Sequence, residues 1–263
     1  MKKNYNTITY KQVNSTAWLS LNRPEVHNAM NEEMIAELTA VFNSLIDEHG
    51  IRAVVLSGNG SSFCAGADLN YMKSIATLGT KENIEDGKKL ANMFSSVYNC
   101  PIPTIAVVHG AALGGANGLL AACDIVIAEK NTNFAFSEVK LGIAPATIAP
   151  FVFKRIGEFG AKELMLTGKR FKAKEAQKWN LVNHVYDGQN EESPLVGILK
   201  QFESSAPQAV KETKTLITTI LGKDIEEGIE YTSKLIAKLR ASDEGQEGMA
   251  SFLEKRKPNW VNE

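Results

Sequence analysis

The stretch that decides the fold is TIAVVHGAALGGANGLLAACDIVIA, residues 104–128. The apolar, β-branched run at Thr104–Val108 predicts a buried strand, and a second such run at Ile125–Ala128 predicts another. Between them lie a glycine-rich turn and an alanine- and leucine-rich segment, which predicts a helix near residues 115–122. Strand, helix and strand in this order are typical of a βαβ unit. They indicate an α/β fold with a mostly parallel sheet.

The same stretch resembles a membrane span in length only. Residues 104–123 contain no Asp, Glu, Lys or Arg, which is about one bilayer crossing. They include His109 and Asn117, however, and Asp124 follows at once. The N-terminal MKKNYNTITYKQV also lacks the apolar region of a secretory signal. We therefore expect no membrane-spanning segment and a cytoplasmic location.

Strands and helices alternate outward from this unit. Before it we predict a hairpin, a helix, a buried strand and a second helix, at Thr7–Val13 with Ala17–Leu21, at residues 31–48, at Ala53–Ser57 and at residues 82–99. After about residue 190 the pattern changes to charged helices with apolar stripes, at residues 206–221, 224–241 and 243–256. A polar loop at residues 187–194 separates the two parts. We expect an α/β core over residues 1–190 and a helical C-terminal region over residues 191–263.

Composition excludes several classes of function. The chain has 263 residues, 44% of them hydrophobic, and a formal net charge of −1. This balance argues against a strongly basic nucleic-acid-binding protein and against an acidic disordered chain. The three cysteines are far apart with no CxxC pair, and the four histidines are scattered. We therefore predict neither a disulfide framework nor a metal site.

Three glycine-centred turns are candidates for chemistry, at Phe63–Leu69, at Gly110–Gly118 and around Gly142 and Pro145. Each of the first two follows a predicted strand and leads toward a helix, so its backbone N–H groups are left unpaired at the positive end of a helix dipole. Two such groups aimed at one point would stabilise a carbonyl oxygen that becomes negatively charged. Glycines that only allow close contact between helix and sheet would show the same spacing. The dinucleotide pattern GxGxxG and the phosphate-binding pattern GxxxxGK[ST] are both missing.

Six motifs together resemble the crotonase, or enoyl-CoA hydratase/isomerase, superfamily. They cover nearly the whole chain in order: LNRP with HNAM (residues 21–30), FCAGADL (63–69), HGAALGG (109–115), ACDI (122–125), FSEVKLGIAP (136–145) and GMASFLEKR (248–256). The resemblance implies a spiral of β-β-α units with a helical C-terminal trimerisation region. It also implies homo-trimers or hexamers, an acyl-CoA thioester as substrate, and no cofactor, since coenzyme A is part of the substrate.

The resemblance also implies which residues form the site. The N–H groups of Ala67 and Gly115 would form the oxyanion hole, with Gly114 beside them. Coenzyme A would be held in one chain by the residues Arg23, Ala29, Ala65, Ala67, Asp68 and Leu69. A neighbouring subunit would contribute Phe252 and Lys255. Nucleic acid and membrane are not expected as partners.

The carboxylates set the expected reaction. Hydratases of this family usually carry two glutamates. This chain has Glu138 at the second position, but at the first it has Gly118. One carboxylate is enough to move a proton between two carbons, which favours an enoyl-CoA isomerase. Against this, residues 136–148 resemble a hydratase branch that acts on branched or carboxylated enoyl-CoAs, the methylglutaconyl-CoA and isohexenylglutaconyl-CoA hydratases. In such an enzyme a substrate carboxylate, or Asn117, would orient the water.

We therefore expect an enoyl-CoA hydratase with Glu138 as its catalytic acid–base residue and with Ala67 and Gly115 as oxyanion donors. An isomerase, and a non-catalytic protein that binds acyl-CoA or RNA, are the alternatives. Glu138 would have a purely structural role if it were paired with Lys140 or Arg155. If an empty space at Gly118 limits hydration, Gly118→Glu should increase the hydration of crotonyl-CoA.

Overall fold

The computed structural model of the protein describes residues 5–48, 50–188 and 193–261. The chain divides into two compact units. One comprises Met1–Cys100 with Thr104–Pro194, and the other Pro101–Pro103 with Leu195–Glu263. The predicted loop at residues 187–194 lies partly outside the described residues, because residues 189–192 are not among them.

The described residues form strands in the first unit only and α-helices in both. The strands are β1 Ile8–Val13, β2 Thr16–Leu21, β3 Ala53–Gly58, β4 Thr104–Val108, β5 Ala111–Leu113, β6 Ile125–Glu129, β7 Asn133–Ala135, β8 Arg170–Lys172 and β9 His184–Tyr186. The helices are α1 Glu32–Ser44, α2 Leu69–Ile75, α3 Thr80–Tyr98, α4 Ala116–Ala122, α5 Ala149–Thr167, α6 Ala173–Lys178, α7 Leu195–Ser204, α8 Pro207–Ile220, α9 Ile225–Ala241 and α10 Asp243–Leu253. Helix α5 is broken at Gly157, whose φ is 71°.

The main sheet has the strand order β1-β2-β3-β4-β6-β9. Only β1 runs antiparallel, as the outer arm of the β1–β2 hairpin, and the other neighbouring strands are parallel. One row across the sheet aligns Leu19, Leu56, Ala106 and Val126, all fully buried. The continuous apolar runs read from the sequence therefore fit strands that are covered on both faces.

A second sheet of three short strands, β5-β7-β8, positions the chemistry. Strand β5 ends at Leu113, and the second glycine turn continues from there as residues 114–118, which lead into α4. Strand β7 ends at Ala135, just before a 3-10 turn at Ser137–Leu141. Leu113 pairs with Ala135 in the β5–β7 register. The glycine turn and the turn that carries Glu138 therefore begin side by side.

The second unit is helical, and side-chain oxygens cap three of its helix starts. Asp224 caps α9 and Ser242 caps α10 through side-chain oxygens. The carboxylate of Glu244 accepts the N–H groups of Gln208 and Ala209 at the start of α8, 3.0 and 2.8 Å away. These contacts satisfy donors that a helix start leaves unpaired. The large apolar side chains Ile217, Ile225, Ile229, Phe252 and Leu253 are exposed.

Most predicted elements agree with the structure in their boundaries, and two helix ends differ. Helix α1 ends at Ser44 and passes into a 3-10 turn at Leu45–Asp47, so it is shorter than expected. The last helix ends at Leu253 rather than at residue 256. The helices α2, α5, α6 and α7 and the strands β5, β7, β8 and β9 were not predicted. No helix within the described ranges has both the length and the apolar character needed to cross a bilayer.

Candidate active site

The first glycine turn, residues 65–68, is fixed by a short pairing with Met30. The N–H of Met30 donates to the carbonyl of Gly66 at 2.8 Å, and the N–H of Asp68 donates to the carbonyl of Met30 at 2.9 Å. Ala67 lies between these two bonds and is exposed. Among the described residues no protein acceptor takes the Ala67 N–H. The turn thus presents one backbone donor to a ligand.

A polar network anchors this turn to α2. The carboxylate of Asp68 caps the helix by accepting the N–H groups of Asn70 and Tyr71, at 2.8 and 3.2 Å. Its other oxygen binds the guanidinium of Arg23 at 2.9 Å, and the same Arg23 nitrogen donates to the carbonyl of Ala29 at 2.6 Å. Burial alone would raise the pKa of Asp68, but these donors together hold it below its ordinary value.

The second glycine turn lies beside the first. The N–H of Cys64 donates to the carbonyl of Ala111 at 3.0 Å, and the N–H of Leu113 donates to the carbonyl of Cys64 at 3.1 Å. The N–H of Gly114 is taken by Ala135, 2.8 Å away. The next N–H, that of Gly115, has no acceptor in the part of the chain that the structure describes. Two unpaired backbone donors therefore lie on neighbouring segments, as an oxyanion hole requires.

Glu138 carries its carboxyl group to this second turn. A Cβ built on Gly114 would lie 3.3 Å from Glu138 Oε1. The other oxygen, Oε2, is buried and has no hydrogen-bond partner among the residues that the structure describes. Burial raises the pKa of Glu138, and its own backbone N–H opposes this only in part. An unpaired, desolvated carboxyl group next to unpaired amides is typical of a group that exchanges protons with a ligand.

The salt-bridge interpretation of Glu138 is wrong. No ion pair joins Glu138 to Lys140 or Arg155 in the described ranges. The guanidinium of Arg155 is instead bound by the carbonyls of Cys123 and Leu181, at 2.6 and 2.9 Å, and by the side chain of Asn183 at 2.6 Å.

Comparison with known proteins gives the family. The family described as enoyl-CoA hydratase/isomerase matches residues 11–263. The chain belongs to this family. The short-chain-enoyl-CoA hydratase of Clostridium acetobutylicum is 31% identical over 258 residues, 96% of this chain and 96% of the relative. The mitochondrial Delta(3,5)-Delta(2,4)-dienoyl-CoA isomerase of Dictyostelium discoideum is 31% identical over 252 residues, 92% of this chain and 86% of the relative.

The fold of the chain also matches that of a solved structure. The crystal structure of an enoyl-CoA hydratase from Shewanella pealeana superimposes with a TM-score of 0.92 at 35% identity, and the match covers 97% of this chain and 96% of that one. The prediction of a crotonase-type α/β fold is confirmed. So is the prediction of an enzyme of the hydratase/isomerase family. Relatives bear names of both reactions, so the comparisons do not separate hydratase from isomerase.

In this enoyl-CoA hydratase/isomerase, the position of the usual first glutamate is not an empty space. A Cβ built on Gly118 would lie 2.4 Å from Ile148 Cγ2 and 2.9 Å from two ring carbons of Phe94. Both side chains are fully or almost fully buried. The expectation that Gly118→Glu would fill a vacancy is therefore wrong, because apolar side chains already occupy that space.

Asn117 has a structural partner on one side of its amide. Its Nδ2 donates to the carbonyl of Ala135 at 2.9 Å, while its Oδ1 is buried and has no hydrogen-bond partner in the described part of the chain. Asn117 itself is fully buried. The side chain thus ties α4 to the end of β7, and its proposed role in orienting a water stays a prediction.

The residues expected to contact coenzyme A divide between the two units. Arg23, Ala29, Ala65, Asp68 and Leu69 all lie at the first turn, where Leu69 is 74% exposed. The carboxylate of Asp68 already accepts hydrogen bonds from Arg23 and from two N–H groups of α2. Its role is therefore to hold the turn in place.

The remaining two predicted contacts, Phe252 and Lys255, lie at the end of α10 in the second unit. Phe252 is 82% exposed. The neighbouring cation Arg256 is paired with Glu247 and Glu254.

Sequence reasoning named the two unpaired amides and the carboxylate of the candidate site, but not the side chains that pack against its glycines. Met30, Phe94 and Ile148 were read only as apolar residues of a motif, of a helix and of a loop. Each touches a glycine of the site that is distant in sequence. Apolar periodicity shows that a side chain is buried, not which backbone atom it meets. No signal in a single sequence could have identified these contacts.

Proposed function

We propose that the protein is an enoyl-CoA hydratase in which Glu138 is the only carboxylate that exchanges protons with the substrate. The N–H groups of Ala67 and Gly115 would hold the thioester oxygen. The observation that carries this proposal is the carboxyl group of Glu138, which lies against Gly114 with one oxygen buried and unpaired. It adjoins the turn whose next N–H is free.

One carboxylate can complete the reaction in two steps. Ionised Glu138 takes a proton from water as the water oxygen bonds to the β-carbon, and the electrons of the double bond move to the thioester oxygen. The two backbone N–H groups stabilise this enolate. When the electrons return, the α-carbon takes the proton from Glu138, which is ionised again. Because one group serves both carbons, oxygen and hydrogen add to the same face of the double bond.

We further propose a branched or carboxylated enoyl-CoA as substrate. Support comes from the resemblance of residues 136–148 to the methylglutaconyl-CoA and isohexenylglutaconyl-CoA hydratases, and from the glycine at residue 118. A hydratase without the first glutamate lacks one group that orients water. A polar substituent on the substrate would take over that task.

Isomerisation is the second candidate, and the packing around Gly118 favours it. Phe94 and Ile148 place apolar carbon where a second acid–base group would stand. Apolar walls exclude water, and a double-bond shift needs none. The same Glu138 would remove a proton next to the thioester and return it two carbons away.

The proposal includes assembly and context. Homo-trimers or hexamers are supported by the exposed apolar side chains of α9 and α10. A cytoplasmic enzyme of fatty-acid or branched amino-acid breakdown, with no cofactor beyond the coenzyme A of its substrate, follows from the family resemblance.

Glu138→Gln tests the acid–base role. We expect turnover to fall by about 100-fold to 10,000-fold, the range for a positioned acid–base group, while the affinity for a saturated acyl-CoA is retained. Glu158→Gln, an exposed glutamate on α5, is the matched control and should keep full activity. Turnover within about threefold of wild type in Glu138→Gln would remove Glu138 from the mechanism.

Glu138→Gln should lower turnover but raise thermal stability at neutral pH, which gives a second test of the same variant. Because burial raises the pKa of Glu138, the folded state holds its proton at a pH where the unfolded state has lost it. Stability from this group is therefore lost as pH rises through that raised pKa. At neutral pH Glu138→Gln should raise the melting temperature, and at about pH 4 the gain should vanish. A lower melting temperature at neutral pH would indicate a structural carboxylate.

A panel of enoyl-CoAs in water enriched with heavy oxygen distinguishes the two reactions. Hydration places one solvent oxygen in the product and removes the absorbance of the conjugated thioester. Isomerisation of a 3-enoyl-CoA creates that absorbance and incorporates no solvent oxygen. Mass spectrometry of the products decides between them, and the substrate turned over fastest defines the class. If the protein turns over no enoyl-CoA of the panel, both the hydratase and the isomerase proposals are wrong.

A further inference from the structure

Met30 contacts both segments that carry the backbone donors of the candidate oxyanion hole. A Cβ built on Gly115 would be 2.8 Å from Met30 Cε, so the methyl group at the tip of Met30 packs directly against this glycine. The backbone of the same residue pairs on both sides of Ala67. Met30 is therefore in contact with both donor positions, with one through main-chain bonds and with the other through its side chain.

Met30 is held firmly enough to act as a spacer. It is only 2% exposed. On one side the carbonyl of Ala29 accepts a hydrogen bond from Arg23, 2.6 Å away. On the other side Asn31 caps α1 by accepting the N–H of Met34 at 2.9 Å. A methionine side chain is flexible in solution, but here both its backbone neighbours are anchored and its tip is enclosed.

Two donors stabilise an oxyanion only when both reach the same oxygen at about 2.7–3.1 Å. Their separation must therefore be fixed, and displacements near 1 Å are costly to turnover. The Ala67 turn is fixed by backbone hydrogen bonds. The N–H of Gly115 makes no bond within the described residues, while its carbonyl accepts the N–H of Gly118 at 2.9 Å. What packs against the open side of the glycine therefore also affects the position of that donor.

We infer that Met30 is a positioning residue, whose side chain sets the distance between the Ala67 and Gly115 N–H groups. The inference rests on the proposed function, since it assumes that these amides bind a thioester oxygen. Met30 does not touch the substrate in this account. It acts through Gly115, and its loss should weaken polarisation of the thioester rather than binding of coenzyme A.

The test compares Met30→Ala and Met30→Leu with Met34→Ala. Met34 is an equally buried methionine in the first turn of α1. We expect Met30→Ala to lower kcat by about 10-fold or more with KM changed less than about threefold, as a displaced donor would. Leucine keeps most of the apolar volume but does not reach as far as Met30 Cε, so the fall in kcat should be smaller in Met30→Leu than in Met30→Ala. Met34→Ala should lower the melting temperature and leave kcat within about twofold.

Infrared spectroscopy reports the polarisation directly. The probe is butyryl-CoA labelled at its carbonyl carbon with a heavy isotope, bound to each variant. An oxyanion hole lowers the carbonyl stretching frequency, and in Met30→Ala that shift should shrink. A kcat loss with an unchanged shift, or a wild-type kcat, would overturn the inference. Should the alanine variant not fold, Met30→Leu decides by the same two readouts.

A double-mutant cycle adds a second criterion. Gly115→Ala brings a Cβ against the Met30 tip, so its effect on kcat should be smaller when Met30 is already alanine. Additive effects would mean that the two residues are not coupled. The wild-type spectrum distinguishes a failure of the proposed function from a failure of the role of Met30. If bound butyryl-CoA shows no lowered carbonyl frequency in wild type, the proposed function fails; if wild type shows it and Met30→Ala keeps it, only the role of Met30 fails.

Discussion

The two glycine turns of the candidate site present the same chemical group but differ in what packs against them. At residues 65–68, main-chain bonds to Met30 and the network of Asp68 and Arg23 fix the donor of Ala67. At residues 114–118, the N–H of Gly114 donates to Ala135, and the carbonyls of Gly114 and Gly115 accept the N–H groups of Asn117 and Gly118. Apolar side chains also pack against Gly115 and Gly118. Hydrogen bonds hold both turns, but close side-chain packing is added only at the second.

This difference predicts which perturbations each turn can tolerate. Hydrogen-bonded turns respond to changes in charge, pH and backbone conformation. Packed turns respond to changes in side-chain volume, because protein interiors are close-packed and relax only in part. A neighbour that is a flexible side-chain tip, such as that of Met30, can shift slightly. A neighbour that is a backbone carbonyl cannot.

The sharpest test of the comparison is Gly66→Ala in the first turn. Gly66 has a φ of 101°, a backbone conformation that residues with a side chain rarely adopt. An added Cβ would lie 3.1 Å from the carbonyl oxygen of Leu113. Since both restraints are backbone, we expect the Ala67 donor to move and kcat to fall by about 100-fold to 1,000-fold. Gly115→Ala meets only the tip of Met30 and should cost less in kcat. Equal losses in both variants would contradict the distinction.

The second test concerns volume at Gly118. An added Cβ would overlap Ile148 and Phe94, so Gly118→Ala should lower the free energy of unfolding by about 1–3 kcal/mol. Gly87→Ala is the matched control in α3, where the closest atom would be Thr147 Cγ2 at 3.9 Å. It should stabilise the protein by about 0.5–1 kcal/mol, because alanine favours the helix over glycine. Urea unfolding of both variants measures the difference.

The glutamate variant extends that test to function. Gly118→Glu should be less stable than Gly118→Ala, since it also buries a carboxylate among apolar side chains. We expect no gain in the hydration of crotonyl-CoA. A stable Gly118→Glu protein with increased hydration would show that the packing around residue 118 yields easily and that the space is in effect available.

The sequence alone predicted five of the six strands of the main sheet, all but the three-residue β9. Thr104–Val108 coincides with β4, because a buried parallel strand is a continuous apolar run. The second sheet was not predicted, since its strands have three residues each and no period can be read from three residues. Helix α2 was missed for a related reason: Leu69–Ile75 has no buried residue and hence no apolar stripe.

Site residues show the same division between local and distant information. Family motifs named Glu138 and the two amides, and the structure places all three on neighbouring turns, but their roles stay predictions. The packing of Met30 on Gly115 joins positions far apart in the chain, and so does that of Phe94 on Gly118. Such contacts are decided by how the layers stack, which the order of residues does not state. The wrong expectation at Gly118 came from reading a missing side chain as an empty space.

The smallest expected effect is that of Asp68→Asn, which keeps the helix cap but removes the charge that faces Arg23. The pair is mostly buried, and we expect a loss of about 1 kcal/mol in unfolding free energy at neutral pH. Because the pKa of Asp68 is held below its ordinary value, its contribution is present above that ordinary value and is lost as pH falls through the lowered one.

The difference between wild type and Asp68→Asn should therefore shrink on acidification and disappear once Asp68 is protonated in both states. Thermal unfolding across this range measures it. A matched comparison is Gly118→Ala, whose deficit arises from volume and should not depend on pH. If the Asp68→Asn deficit also persisted unchanged into acid, the first turn would be held by packing like the second, and the contrast between them would be lost.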